Sequence, residues 1–283
     1  MKILAAVDSS PGSPAVISQA AARPWPPLTS FEVLSVADSA SDGEAWTHRA
    51  SALAEQGARE LCARGLSASA FAMSGHPKAA IIDRAGEIGA DLILIGSRQD
   101  RFLAGGVASA VLRHAHCSVE VVRAGREIAG GMKILLATDG SDDSLAAARA
   151  IASRPWPQQS EVRVLTVVEL SLTLLQSTLE PPYLNSDMLE RQRGEAMKRA
   201  ERALAAAEQV LAPSGLSTSE SISVLVESPK KIILDEAGQW GADLIFAGSH
   251  GRRGLDRFLL GSVSEAVALH APCSVEVVRT KPV

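Results

Sequence analysis

Between Gly248 and Ser262 the chain reads GSHGRRGLDRFLLGS, directly after an apolar run. Gly248, Gly251 and Gly254 permit positive φ and let a ligand approach the backbone with no Cβ in the way. Arg252 and Arg253 add positive charge to the same loop. A helix is expected to begin near Gly261 and Ser262, and its free N–H groups and dipole favour an anion. Ser262 could cap that helix or donate to a phosphate oxygen. This is the composition of a phosphate cradle, although the same glycines would also serve an ordinary strand-to-helix turn. His250 could touch a phosphate or a ribose, with a merely solvated loop histidine as the alternative. Asp139 lies in TDGSDDS (138–144) at another strand end. For Asp142 and Asp143 a helix cap or Asx-turn is the expected role. Asp139 stands apart because Asp8 repeats it at the matching place earlier in the chain.

Other chemistries find no support. There is no G-x-x-x-x-G-K-[ST] and no G-x-G-x-x-G after the first strand, which argues against a P-loop ATPase and an ordinary dinucleotide enzyme. No Ser/His/Asp or Cys/His set assembles, so the sequence places no general base or nucleophile. His114 and His270 match between the copies, each in a helix near the terminal strand, where packing is the expected explanation. The three cysteines, Cys62, Cys117 and Cys273, form neither a disulfide framework nor a metal spacing. Cys117 and Cys273 precede apolar strands as expected buried thiols, which fits a reducing cytoplasm. A net charge of −4 gives no reason to expect nucleic acid as a partner. No apolar run approaches the ~20 residues of a membrane span, and the chain turns polar by Asp8, so neither a membrane partner nor a signal peptide is expected.

The elements that must position these residues come in two copies. MKILAAVDSS (1–10) returns as MKILLATDGS (132–141), RPWP (23–26) at 154–157, GADLILIGS (89–97) as GADLIFAGS (241–249), and HCSVEVVR (116–123) as PCSVEVVR (272–279). Such self-similarity means two homologous domains, 1–125 and 132–283, joined through AGREIAGG (124–131). In the second copy strands are predicted at Lys133–Asp139, Val162–Val168, Glu220–Glu227, Asp243–Ala247 and Ser274–Val278. A helix is predicted over Glu190–Leu211, where Ala and Leu recur at helical spacing. Near-continuous apolar strands such as KILLAT and DLIFAG imply a parallel sheet covered by helices on both faces. The fold class is therefore α/β, two tandem doubly wound domains of five parallel strands each. Ligands are expected at strand carboxyl ends where the order reverses. In a 3-2-1-4-5 order the lips there are Thr138 and Asp139 on one side and Ala247 and Gly248 on the other.

The chain resembles the universal stress protein family over nearly its whole length. The likeness lies in ILLATDGS, VRVLTVVE and ESPKKIILDEAGQWGADLIFAGSHG, and in the ATP-binding pattern G-x2-G-x9-G-[ST]. Gly248, Gly251, Gly261 and Ser262 satisfy that pattern in full. The resemblance implies the 3-2-1-4-5 order and ATP as ligand, with Mg2+ or Mn2+ held more by phosphates and water than by protein. It implies that Asp139 faces the adenosine part and that Val167 meets adenine through its main chain. Gly248 and Gly251 would line ribose and phosphates with His250 and Arg252 nearby, while Gly261, Ser262, Val263 and Ser264 hold phosphate oxygens.

The first copy departs from this. Its stretch GSRQDRFLAGGVAS (96–109) is four residues shorter between the first glycine and Asp-Arg-Phe-Leu, with Gln99 for the second glycine and Gly105-Gly106 at the end. It reads as a degenerate, structural partner. The expected function is an ATP-binding stress-response regulator, with a slow ATP hydrolase or autophosphorylating phosphotransferase as one alternative and a nucleotide-independent scaffold or chaperone-like protein as another. Both copies end in SVEVV, which the resemblance places at the sheet edge, and a strand this apolar is a hazard if left open there. The two are expected to pair within the chain as a pseudo-dimer, leaving open a further homodimer and protein partners of unknown kind.

Overall fold

A computed structural model describes residues 1–38, 44–97, 106–124, 130–169, 186–225, 228–251 and 260–280. The first half runs β1 (Lys2–Val7), α1 (Ser13–Ala22), β2 (Ser30–Asp38), α2 (Glu44–Ala63), β3 (Ser67–Gly75), α3 (Pro77–Glu87), β4 (Leu92–Gly96), α4 (Val107–His114) and β5 (Ser118–Val122). The second runs β6 (Lys133–Ala137), α5 (Asp142–Ala152), β7 (Glu161–Glu169), α6 (Ser186–Leu211), β8 (Ser217–Leu225), α7 (Pro229–Trp240), β9 (Leu244–Gly248), α8 (Ser262–His270) and β10 (Ser274–Val278).

All strands lie in one ten-stranded sheet, β3-β2-β1-β4-β5-β10-β9-β6-β7-β8. Each half has the 3-2-1-4-5 order, and its strands are parallel. The two SVEVV strands pair within the chain and antiparallel, Val121 opposite Val275, Glu120 opposite Glu276 and Val119 opposite Val277. The carboxyl ends of the two sets of strands therefore point in opposite directions, and the two strand-exit crevices lie at opposite ends of the sheet.

Strand alternation sorts the core. Val119, Val121, Val275 and Val277 join a single apolar cluster with residues of α3, α4, α7 and α8 that spans both halves. On the other face each half has its own core, one around α1 and α2, the other around α5 and α6. Burial along α6 explains its period: Ala196, Ala200, Ala203, Leu204, Ala207 and Leu211 are buried at three- and four-residue steps. The helix begins at Ser186, four residues before the predicted Glu190.

Two predicted strand ends shift by more than one residue. β6 stops at Ala137 rather than Asp139, because Gly140 adopts φ +77° and turns the chain out of the ladder. β8 begins at Ser217, and the predicted end at Glu227 lies outside the described residues. His114 and His270 are exposed in the last turns of α4 and α8, so packing does not account for them; His270 Nδ1 lies 2.8 Å from Ala266 O. Cys117 and Cys273 are buried as expected, and burial pushes the Cys273 thiol up to about 12. Among the described residues no helix is long and apolar enough to cross a membrane.

The halves also exchange charges at one position. In the first, Arg84 of α3 grips Glu32 of β2 with bonds of 2.7 and 2.8 Å. At the same place in the second, Arg163 of β7 meets Glu236 of α7 at 2.7 Å. The pair is kept with its polarity reversed.

Candidate functional site

In the second half β6 and β9 are neighbours, and the chain leaves them toward opposite faces of the sheet, into α5 and α8. On the β6 side Thr138 is buried, its hydroxyl 3.0 Å from Ser144 Oγ and accepting from Gly140 N at 3.2 Å. Asp139 closes an Asx-turn, accepting from Ser141 N at 3.0 Å. The cap of α5 is Ser141, whose hydroxyl accepts from Ser144 N. Asp142 and Asp143 follow in the first turn, where acidic side chains suit the helix dipole.

β7 carries on past the end of β6. The last pair is Ala137 with Leu165, and Leu165 O then accepts from Thr138 N at 2.9 Å. Because backbone groups two residues apart on a strand point the same way, the N–H and C=O of Val167 are directed to the β6 side. They face the space the chain vacates when it turns at Gly140. A main-chain donor and acceptor at a strand exit can read the edge of a planar base.

On the β9 side the loop has a closed neck. Ser249 N donates to Val278 O at 3.0 Å, and Ser249 O accepts from Gly261 N at 2.8 Å. Ser264 Oγ donates to Gly248 O at 2.6 Å. The chain therefore leaves at Ser249 and returns at Gly261, which is the N-cap of α8 with φ −63°. Residues 252–259, including Arg252, Arg253 and Gly254, lie outside the described residues. The amides of Ser262, Val263 and Ser264 open α8 and have no intrahelical acceptor. Ser262 is exposed and is the first helical residue rather than the cap.

The glycines are needed for steric reasons, and none of the motif's described three adopts the left-handed conformation their type would allow. A Cβ on Gly248 would meet Asp143 C at 2.5 Å and Ser144 N at 2.6 Å, so β9 ends hard against the start of α5. Gly248 thus serves strand-to-helix packing, and Ala247 beside it is buried between Ala137 and Val277. A Cβ on Gly251 would meet Asp139 Oδ2 at 2.8 Å. That contact brings together Asp139 and Gly251, predicted from separate motifs.

The expected capping role of Asp143 is incomplete. Its Oδ2 accepts from Ser249 Oγ at 2.8 Å and His250 N at 3.0 Å, and lies 3.0 Å from His250 Nδ1. The His250 ring therefore turns to the α5 side, while the amides of α8 open on the other. Sequence reasoning missed this bond across 107 positions; the one available signal was that Asp143 has glycine, Gly12, at its place in the first copy.

The first half keeps less. Asp8 Oδ1 accepts from Ser10 N at 2.9 Å and Ser13 Oγ at 2.7 Å, inside its own turn. Gly96 approaches Gly12 as Gly248 approaches Asp143. The shortened loop, 98–105, lies outside the described residues.

The universal stress protein family profile matches residues 1–123 and again 132–279. The chain belongs to the universal stress protein family. A protein of Staphylococcus haemolyticus named as a universal stress protein is 32% identical over 152 residues, 53% of this chain and 86% of that relative. One from Staphylococcus aureus is 33% identical over 150 residues, 52% and 84% of the two chains. The crystal structure of a universal stress protein from Archaeoglobus fulgidus superposes with a TM-score of 0.67 at 22% identity, covering 98% of this chain and 96% of that one. At that identity the likeness speaks to the fold, and it extends across both halves.

Proposed function

We propose that the second domain binds ATP and that the chain acts as a nucleotide-dependent regulatory module of the stress response. The observation that carries this is the closed neck between Ser249 and Gly261, which delivers the start of α8 beside Gly251 and Asp139. The amides of Ser262, Val263 and Ser264 supply an anion site at a helix N-terminus. Across the crevice, the main chain of Val167 suits adenine and Asp139 suits the ribose hydroxyls. Thr138 and Gly248 shape the floor without touching ligand through their side chains. Arg252 adds positive charge from the loop.

Mg2+ or Mn2+ would accompany the triphosphate, resting on phosphate oxygens and water more than on protein. The first domain lacks the full loop and serves as the structural partner. The site binds and orients; the consequence is a change in shape passed to a protein partner, in keeping with a cytoplasmic protein.

Freshly purified chain, denatured and chromatographed, should release adenine nucleotide. Calorimetry with ATP and Mg2+ should give about one site per chain. No released nucleotide together with no heat on titration would overturn the reading, and two equal sites would overturn the asymmetry between domains.

A further inference from the structure

We propose that Asp143 is the positioning residue of the second-domain nucleotide loop, the side chain that fixes where the loop leaves β9. The inference rests on the nucleotide-binding reading of that site.

The argument begins with what one oxygen collects. Asp143 Oδ2 takes the Ser249 hydroxyl, the His250 amide and the His250 ring, all within 3.0 Å. Two consecutive residues are thereby held by one carboxylate on the first turn of another helix. Ser249 is also the lower half of the neck, so each of its polar groups is fixed: amide to Val278, carbonyl to Gly261, hydroxyl to Asp143. His250 O accepts from Ser141 Oγ at 3.4 Å, and the next residue is Gly251, against the Asp139 carboxylate. Asp143 thus sets Ser249 and His250, these set Gly251 on one side and Gly261 on the other, and Gly261 caps α8. Hydrogen bonds to a charged group are among the stronger ones in proteins.

The same bonds remove a conflict. A triphosphate beside a helix that starts Ser-Asp-Asp meets two carboxylates. Engaging Asp143 on the α5 side turns one of them away from the phosphates and satisfies it with three donors. Asp143 Oδ1 lies 3.4 Å from Thr280 Oγ1, beyond β10, so the carboxylate also ties the loop to the strand that joins the domains.

The first copy is the internal control. At the same close approach of strand to helix stands Gly12, and its Cβ would meet Ser97 O at 3.0 Å. The packing survives there, and the side chain that reaches the exit loop does not. The copy with the full G-x2-G-x9-G-[ST] pattern is the one with the aspartate.

The test uses the full chain, with ATP and Mg2+ as the probe. Asp143→Gly, which copies the first domain, should weaken ATP binding about tenfold or more while circular dichroism stays that of the parent. Asp143→Asn keeps an oxygen acceptor and should recover most of the affinity, to within about threefold of the parent. Nitrogen NMR of the His250 ring gives a readout that simple destabilisation would not move. The parent and the Asn variant should hold one tautomer with the proton on Nδ1, and the Gly variant should lose that preference. If Asp143→Gly does not fold, Ser249→Ala removes one of the three donors and should lose about threefold. Parent-like affinity in Asp143→Gly, or in Ser249→Ala where that variant is needed, would overturn the proposal. So would an Asn variant as weak as Gly. A parent that binds no ATP overturns the nucleotide reading instead, and is recognised before any variant is compared.

Discussion

Glu120 and Glu276 stand directly opposite each other at the centre of the antiparallel joint, both fully buried. Their side chains point to the face where the two halves have separate cores, and each meets the arginine of its own RPWP segment. Arg154 grips Glu276 with two bonds of 2.6 Å, and Arg23 meets Glu120 through Nη2. Around this centre the pattern repeats with two-fold symmetry. Arg123 donates to Ala268 O at 2.8 Å and Cys273 O at 3.0 Å, while Arg279 donates to Leu112 O at 2.7 Å. Each of these arginines thus satisfies carbonyls at the end of the other domain's last helix, α8 or α4.

The first prediction concerns the Arg154–Glu276 pair. Removing one partner of a buried pair leaves an uncompensated charge, so Glu276→Leu should destabilise by about 3–5 kcal/mol. Replacing both, Arg154→Met with Glu276→Leu, should recover most of that loss, because well-packed apolar groups substitute for buried pairs at little cost. Urea unfolding of the four species measures the cycle. Equal destabilisation by the single and double changes would show that the pair adds net stability of its own.

Glu120 predicts a pH dependence of unusual sign. Burial pushes its carboxyl above the ordinary value of 4.5, against the Arg23 charge, while the Glu276 charge pushes it further up. Arg23 Nε, Arg23 Nη1 and Glu120 Oε1 have no hydrogen-bond partner, so this pair is less complete than its twin. A carboxyl raised in the folded state binds its proton more tightly there than in the unfolded chain. Its contribution to stability is full below about pH 4.5 and is lost as pH rises through the folded value. Glu120→Gln should remove that term, so the variant's stability relative to the parent should improve from pH 4 toward neutrality. Denaturant titrations across this range test it, and a relative stability that falls with pH would reverse the assignment.

Gly248 and Gly251 should separate by experiment although they belong to one motif. Gly248→Ala forces a Cβ into the backbone of α5 and should cost about 1–3 kcal/mol of stability, with weakened ATP binding as a consequence. Gly251→Ala meets only the end of the Asp139 side chain. It should leave the melting temperature near that of the parent and lower ATP affinity by displacing that carboxylate. Thermal melts paired with calorimetry distinguish the two, and a Gly251→Ala chain that binds like the parent would remove Asp139 and Gly251 from the site.

Much of this was legible in the sequence. The repeat, the strands of KILLA and LIFAG, the sheet order and the pairing of SVEVV with its copy follow from apolar runs and from resemblance. What stayed hidden depends on contacts between residues far apart in the chain. SVEVV reads as an apolar strand with one glutamate, and RPWP as a repeated segment without a role, until the fold brings Arg154 to Glu276 across 122 positions. A signal was present, since the same arginine and the same glutamate recur in both copies. The packing of Gly248 against the start of α5 stays hidden because a glycine requirement does not say what approaches it. The bonds of Asp143 to Ser249 and His250 stay hidden because a local role is the one that spacing can show.

The last prediction follows from the symmetry of the joint. The two-fold axis passes between Glu120 and Glu276, and each strand brings its own arginine, serine and terminal arginine. Replacing β5 by a second β10 would set Glu276 opposite Glu276 with an Arg154 on each. Ser274 and Arg279 would take the places of Ser118 and Arg123. Of the cross-joint bonds, the Arg113–Glu265 pair at 2.6 Å has no counterpart, because Leu269 stands where the first copy has Arg113. An open β10 would expose apolar edge backbone, a strong drive to pair. Residues 132–283 expressed alone should therefore form a homodimer through β10, and Glu276→Lys should block it by placing two buried like charges face to face beside Arg154. Light scattering over a concentration series reads both. A second domain that stays monomeric at high concentration, or a dimer indifferent to Glu276→Lys, would show that this strand does not drive assembly.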